Sequence, residues 1–216
     1  MINMKLYLAI PIFFFACIKT TAQHKTHTLP AKDTANNQWE FSLWGDYVLK
    51  PDNGSYFNPT FYADNKSLRI EGRYNYEALN TASVFAGWKF YTGKTLTIEA
   101  IPMLGMVFGQ TNGVAPALEA QVQFKQFDFY SESEYVIDFT GKENSFFSTN
   151  TELAYRICKP VRVGLAALRT KLYQTAFNVQ RGVFGEFYFG RCRTGLYYYD
   201  PFTSSNFADI SFSVNF

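Results

Sequence analysis

The chain carries few of the side chains that usually do chemistry near neutral pH. Its only histidines are His24 and His27, inside the polar stretch Gln23-His24-Lys25-Thr26-His27-Thr28. Two imidazoles three positions apart in such a stretch make a weak metal site, and no imidazole base falls anywhere later in the sequence. Carboxylates remain. Glu132, Glu134 and Asp138 occupy alternate positions of one segment. On an extended strand, residues two apart share a face about 6.6–7 Å apart along the backbone. That spacing suits two-carboxylate hydrolysis or a Ca²⁺ site. The plainer reading is an acidic wall, solvated and partly paired with Lys125 and Arg156, and it is the favoured one. No catalytic residue, cofactor or metal ligand is assigned.

A denser polar run lies earlier. Arg69, Glu71, Arg73, Asn75 and Glu77 alternate with Leu68, Ile70, Gly72, Tyr74, Tyr76 and Ala78. A helical period cannot produce that pattern, whereas a strand turns successive side chains to opposite faces. The same alternation sets Glu99, Glu119, Glu132, Glu134, Asp138, Glu152 and Arg156 opposite apolar neighbours. These twelve residues form the candidate functional wall. Asp46, Asp128, Glu186 and Asp209 join them on the acidic side, with Lys125, Arg162 and Arg181 on the basic side. The wall is mixed in sign, with acid in excess.

The elements that carry this wall are strands. Period-two segments fall at about 39–49, 55–64, 67–79, 82–91, 95–108, 117–125, 127–139, 146–157, 161–173, 177–190, 194–200 and 206–216. Pro59 weakens the second; without it and the first, ten would remain. A slip near Gly182 reads as a β-bulge. The apolar faces carry no Asp, Glu, Lys or Arg. The 23 Phe and 15 Tyr favour strands and crowd their ends. A soluble sandwich would show the same alternation with the apolar face turned inward. So uniformly charged a polar face, with almost no helix or long loop, instead points to a closed barrel whose apolar face meets lipid.

The first residues read as an export signal. Lys5, the apolar Leu6–Ile18 and the small residue Ala22 match a secretory signal peptide, with cleavage expected after Ala22. A lipoprotein cut before Cys17 is the less favoured alternative. Residues 23–38 read as a flexible tail, and 39–216 as one barrel domain. Of 20 basic and 18 acidic residues, the signal takes Lys5 and Lys19, which leaves 18 of each. A neutral chain without a basic cluster is not a nucleic-acid binder. No later apolar run is long enough for a spanning helix.

The C-terminus carries a family resemblance. Ile210-x-Phe212-x-Val214-x-Phe216 resembles the assembly signal of Gram-negative outer-membrane β-barrel proteins, in which alternate apolar residues end in a terminal Phe. The resemblance implies an up-and-down antiparallel barrel in the cell outer membrane, contacting lipid and inserted by the barrel assembly machinery. It identifies no subfamily. With both ends periplasmic, the outer connections fall near 50–54, 80–81, 109–116, 140–145, 174–176 and 201–205, and should be the longer set. The 80–81 connection does not fit that expectation. Cys158 and Cys192 sit in neighbouring periplasmic hairpins, too far apart for a disulfide.

Twelve strands lie between the side-chain-filled barrels of about eight and the open pores of 16–18. The expected function is a narrow passage for small polar or cationic solutes, since carboxylate rings select cations. The alternative is a structural or accessory barrel whose lumen is closed by salt bridges. A carboxylate-based hydrolase is the least favoured.

Overall fold

The computed structural model describes residues 38–51, 54–172, 176 and 178–216. The expected signal peptide, nearly all of the tail and both histidines lie outside the described residues. The alternating segments form strands β1 (Glu40–Leu49), β2 (Tyr56–Asn65), β3 (Leu68–Tyr74), β4 (Thr81–Trp88), β5 (Phe90–Gly93), β6 (Leu96–Gly109), β7 (Gly113–Phe124), β8 (Phe127–Asp138), β9 (Phe146–Cys158), β10 (Val161–Leu172), β11 (Asn178–Phe189), β12 (Cys192–Tyr199) and β13 (Phe207–Asn215). Each pairs antiparallel with its chain neighbours, except that β4 and β5 do not pair with each other, and β1 pairs with β13 to close the ring. β4 and β5 both pair with β6. They are one stave broken at Lys89, so the thirteen strands form a barrel of twelve staves.

Burial shows which face is inside. Leu104, Leu165 and Ile157 are 60–62 % exposed, while Glu71 is 0 % and Arg73 4 % exposed. A soluble domain could not present such an apolar exterior, but a lipid-facing barrel must. Aromatic rings gather at the end bearing the short turns. Trp39 stacks on Phe41 at 6.3 Å and Phe41 on Phe61 at 5.9 Å, while Phe127 tilts against Tyr155 at 4.9 Å. This is the girdle expected where barrel meets lipid headgroups.

Several boundaries differ from the sequence expectation. β2 is real despite Pro59. Its ladder to β3 runs only from Asn65 to Thr60, so at Pro59 the strand is paired only with β1. Proline is tolerated where one side of a strand lacks a partner. β3 stops at Tyr74, five residues early. Asn75 and Asn80 take positive φ of 59° and 54°, and the Asn75 side chain accepts the Asn80 N–H at 2.7 Å. The connection at 80–81 is therefore a six-residue loop over 75–80. β7 starts at Gly113, four residues before the expected start, which shrinks the 109–116 loop to 110–112. The connections at the other end are all tight, at 66–67, 94–95, 125–126, 159–160 and 190–191. The short and long sets now separate cleanly.

No bulge interrupts β11 at Gly182, which pairs in regular register with Ala166 and Tyr199. The glycine is there for space, because a Cβ would meet the Tyr199 ring at 2.8 Å. The register shift falls instead between Val161 and Arg162. The last strand lies in the wall as the resemblance implied, with Ile210 and Phe212 facing out and the Phe216 N–H bonded to the Phe41 carbonyl at 2.9 Å.

Candidate functional site

The interior is built around two clusters of guanidinium and carboxylate. The first hangs on β3. Its alternate residues Arg69, Glu71 and Arg73 point inward because Ile70 and Tyr74 face lipid. Arg69 grips Asp64 on β2 through Nε at 2.9 Å and Glu119 on β7 through Nη1 at 2.5 Å. Arg73 holds Glu71 at 2.5 Å, and Glu132 and Glu134 on β8 at 2.7 and 3.3 Å. β8 lies four staves from β3 around the wall, so these bonds run through the lumen rather than along the wall. Tyr76, in the 75–80 loop, follows the same route and donates to Glu132 at 2.8 Å.

The second cluster hangs on β10. Arg162 contacts Asp128 on β8 at 2.5 Å, Glu152 on β9 at 2.9 Å and Glu186 on β11 at 2.8 Å. The Tyr197 hydroxyl lies 3.1 Å from Glu152 and 2.8 Å from Glu186. Arg193 on β12 reaches Glu186 at 3.3 Å and lies 3.6 Å over the Trp44 ring. Such stacking is worth about 2 kcal/mol when desolvated.

Between the clusters lies a cavity of about 120 Å³, bounded by Arg69, Glu119 and Glu132 on one side and Arg162, Arg193 and Trp44 on the other. A water needs roughly 10–15 Å³, so the space holds on the order of ten waters, or one small solute. Toward the long-loop end the interior turns apolar. Phe85, Val107 and Val136 pack on one side, and Phe184, Tyr199 and Phe207 on the other.

The expected wall residues fall as follows. Arg69, Glu71, Arg73, Glu119, Glu132 and Glu134 meet in the first cluster, with Glu77 3.8 Å from Arg73 and 2.7 Å from the Ser83 hydroxyl. Glu99 is buried on β6 and borders the cavity. Glu152 belongs to the second cluster. Arg156 borders the cavity and stacks on Tyr188 at 4.8 Å. Asp138 sits at the loop end of β8, accepts from the Asn112 N–H at 3.3 Å, and binds Thr140. Asn75 is in the loop rather than on a strand, and donates to the Phe57 carbonyl at 2.9 Å. Lys125 is an exposed turn residue and Arg181 is exposed on β11.

The acid ladder is distributed rather than convergent: Glu132 serves Arg73 and two phenols, Glu134 serves Arg73 and Ser148, and Asp138 caps a loop. Among the described residues no group of three His, Cys, Asp or Glu is arranged to hold a metal. Cys158 and Cys192 are not joined in a disulfide.

Sequence reasoning missed Arg193, because β12 was expected to start at residue 194 and so left it in a turn. The inward tyrosines were also passed over. Counting two residues back from Gly195, on the inward face opposite Leu196, would have found Arg193.

No family model matches the chain, and no curated protein sequence is similar to it. Solved structures are similar in fold. The KdgM porin superposes with a TM-score of 0.57 at 12 % identity, over 81 % of this chain and 98 % of that one. The KdgM porin in complex with disordered oligogalacturonate gives 0.55 at 11 % identity, over 81 % and 98 %. The NanC porin in a rhombohedral crystal form gives 0.55 at 9 % identity, over 82 % and 98 %. The fold is that of Gram-negative outer-membrane β-barrels.

Proposed function

We propose that this barrel passes small polar solutes across the outer membrane through a narrow lumen, with a preference for cations. The observation that carries the reading is the cavity between the two clusters, enclosed by charged and aromatic side chains inside a barrel with an apolar exterior. Its surroundings are acidic. Six carboxylates, Asp64, Glu71, Glu77, Glu119, Glu132 and Glu134, share Arg69 and Arg73. Carboxylates in a low-dielectric passage attract cations and repel anions. The porins it resembles in fold support passage as the role. Residues 1–22 serve as the export signal in this reading, and the last strand engages the assembly machinery. The tight-turn end faces the periplasm, since the long loops of such barrels face outward.

Liposome swelling tests this. Vesicles with the refolded protein should swell in isotonic small solutes, faster in an alkylammonium salt than in a carboxylate of equal size. Swelling no faster than that of empty vesicles would sink the proposal.

One observation favours a second reading. The Arg73 and Tyr76 bonds to β8 cross the lumen and narrow it. If they never release, the barrel is a structural or accessory one, and folded protein will be silent in every solute.

A further inference from the structure

One guanidinium nitrogen in the cavity wall has no acceptor. Arg193 on β12 is 8 % exposed and borders the cavity. Its Nη1 lies 3.3 Å from Glu186 and 3.3 Å from the Tyr188 hydroxyl, and its face covers the Trp44 ring. Nη2 is buried and donates to nothing among the described residues. Asp46 also borders the cavity, yet forms no ion pair with it. A buried charged donor without an acceptor is costly, and a ligand oxygen relieves that cost.

Arg156 on β9 borders the same cavity. The Tyr188 ring lies 5.7 Å from the Arg193 guanidinium and 4.8 Å from that of Arg156. Arg156 donates to the Lys159 carbonyl at 3.2 Å and stands in no ion pair among the described residues. Arg162, the third guanidinium on this side, is already held by three carboxylates. Two guanidinium groups with donors to give, gathered on one aromatic ring, suit a carboxylate, whose two oxygens match the planar fork.

The opposite wall carries the opposite charge. Glu99 on β6 is buried, borders the cavity and stands in no ion pair among the described residues. Arg69 is held by Asp64 and Glu119, and Lys89 by Asp64. β6 and β12 are six staves apart in either direction around the ring, so Glu99 and Arg193 belong to opposite walls. They also lie at similar height. Glu99 is the fourth residue of β6, Arg193 the second of β12 and Arg156 the third from the end of β9, each counted from a tight turn.

We propose that the cavity binds a small zwitterion such as an ω-amino acid, its carboxylate on Arg193 Nη2 and Arg156 and its ammonium group on Glu99. This names the solute class within the channel reading; passage rests on that reading, and binding does not. A plain cation lacks the group that Arg193 needs, and a plain anion lacks the group that Glu99 needs. A solute carrying both satisfies each wall and leaves neither charge without a partner.

Trp44 reports on the site, because Trp39 and Trp88 are exposed on the outer face. Refolded protein in detergent micelles is titrated with ω-amino acids from glycine to aminohexanoate, and with the alkylammonium and carboxylate of each length. The best-fitting zwitterion should change the Trp44 fluorescence at about tenfold lower concentration than either of its singly charged analogues. Trp44→Phe should lose that signal. Glu99→Gln should bring the zwitterion level with the carboxylate. Arg156→Gln should weaken zwitterion and carboxylate alike and leave the alkylammonium unchanged. Neither residue stands in an ion pair, so both variants should fold. If no zwitterion outbinds both its analogues, or if the preference survives in Glu99→Gln or the signal in Trp44→Phe, the proposal is overturned. Zwitterion binding without vesicle swelling overturns the channel reading and leaves the site standing; swelling without zwitterion preference does the reverse.

Discussion

Replacing Arg162 by Met tests how the interior is held together. Arg162 is 4 % exposed, and its guanidinium touches Asp128, Glu152 and Glu186. Removing one partner of a buried ion pair costs about 3–5 kcal/mol, because a charge is left without compensation. Three carboxylates do not triple the figure. Glu186 keeps Arg193 at 3.3 Å, and Glu152 and Glu186 keep the Tyr197 hydroxyl. Asp128 loses the guanidinium that clamps it, yet it borders the cavity, where water can reach it. The loss should therefore fall at the low end, about 3 kcal/mol. Methionine keeps an apolar stem but loses the guanidinium that lies 4.9 Å over the Phe184 ring, so a stacking loss adds to that of the ion pairs. Urea unfolding of the vesicle-inserted protein reads the difference. Adding Asp128→Asn to the variant should restore most of it, since the orphaned charge disappears. A loss under about 1 kcal/mol, the range of an exposed pair, would show that water, not Arg162, solvates these acids. No recovery in the double variant would show that charge is not the cause.

Other expectations follow from the same structure. Leu165→Arg, on the outward face of β10 at 60 % exposure, should lose about 2–4 kcal/mol in vesicles if it is near the midplane; a loss under about 0.5 kcal/mol, normal for a water-exposed site, would contradict a lipid-facing surface. Tyr197→Phe should cost about 1.5–3 kcal/mol by removing a donor to two carboxylates, read in the same unfolding assay. Glu77, in the 75–80 loop, has its carboxyl pushed above the usual range by burial, against the pull of Arg73 and Ser83. It binds its proton more tightly folded than unfolded. The stability this gives is complete below the unfolded value and lost as pH rises through the folded one. Glu77→Gln should accordingly gain on the parent as pH rises, and a gap independent of pH would refute it. Cys158 and Cys192 should both take up an alkylating reagent without prior reduction, seen as a mass shift; none would mean that a disulfide joins them.

The fold was legible because one physical rule, lipid outside and polar inside, acts on every strand at period two. Leu68 to Tyr74 displays it residue by residue, whereas the Pro59 strand was the weak one, with ten strands as the alternative until its pairing with β1 and β3 is seen. Boundaries were less legible. The alternation of Asn75 and Glu77 runs past the end of β3, yet Asn75 holds the loop backbone and it is Tyr76 and Glu77 that reach inward. Gly182 looked like a bulge, since a strand sequence cannot show the Tyr199 ring that needs its space. The site was legible as a list of inward charges but not as a network. That Arg73 reaches β8 rather than an adjacent strand depends on side chains crossing the lumen, which no local pattern encodes. The apolar patches at the loop end were hidden for the same reason: Phe85 and Val107 sit at inward positions that the alternation assigns to polar residues.

The central claim is an acidic passage through an outer-membrane barrel. Single-channel recording of the refolded protein under a salt gradient tests it most directly. Discrete, reproducible conductance steps with a reversal potential on the cation-selective side are the predicted result. A protein that is folded and inserted but carries no current at any pH, or one that selects anions, would contradict it.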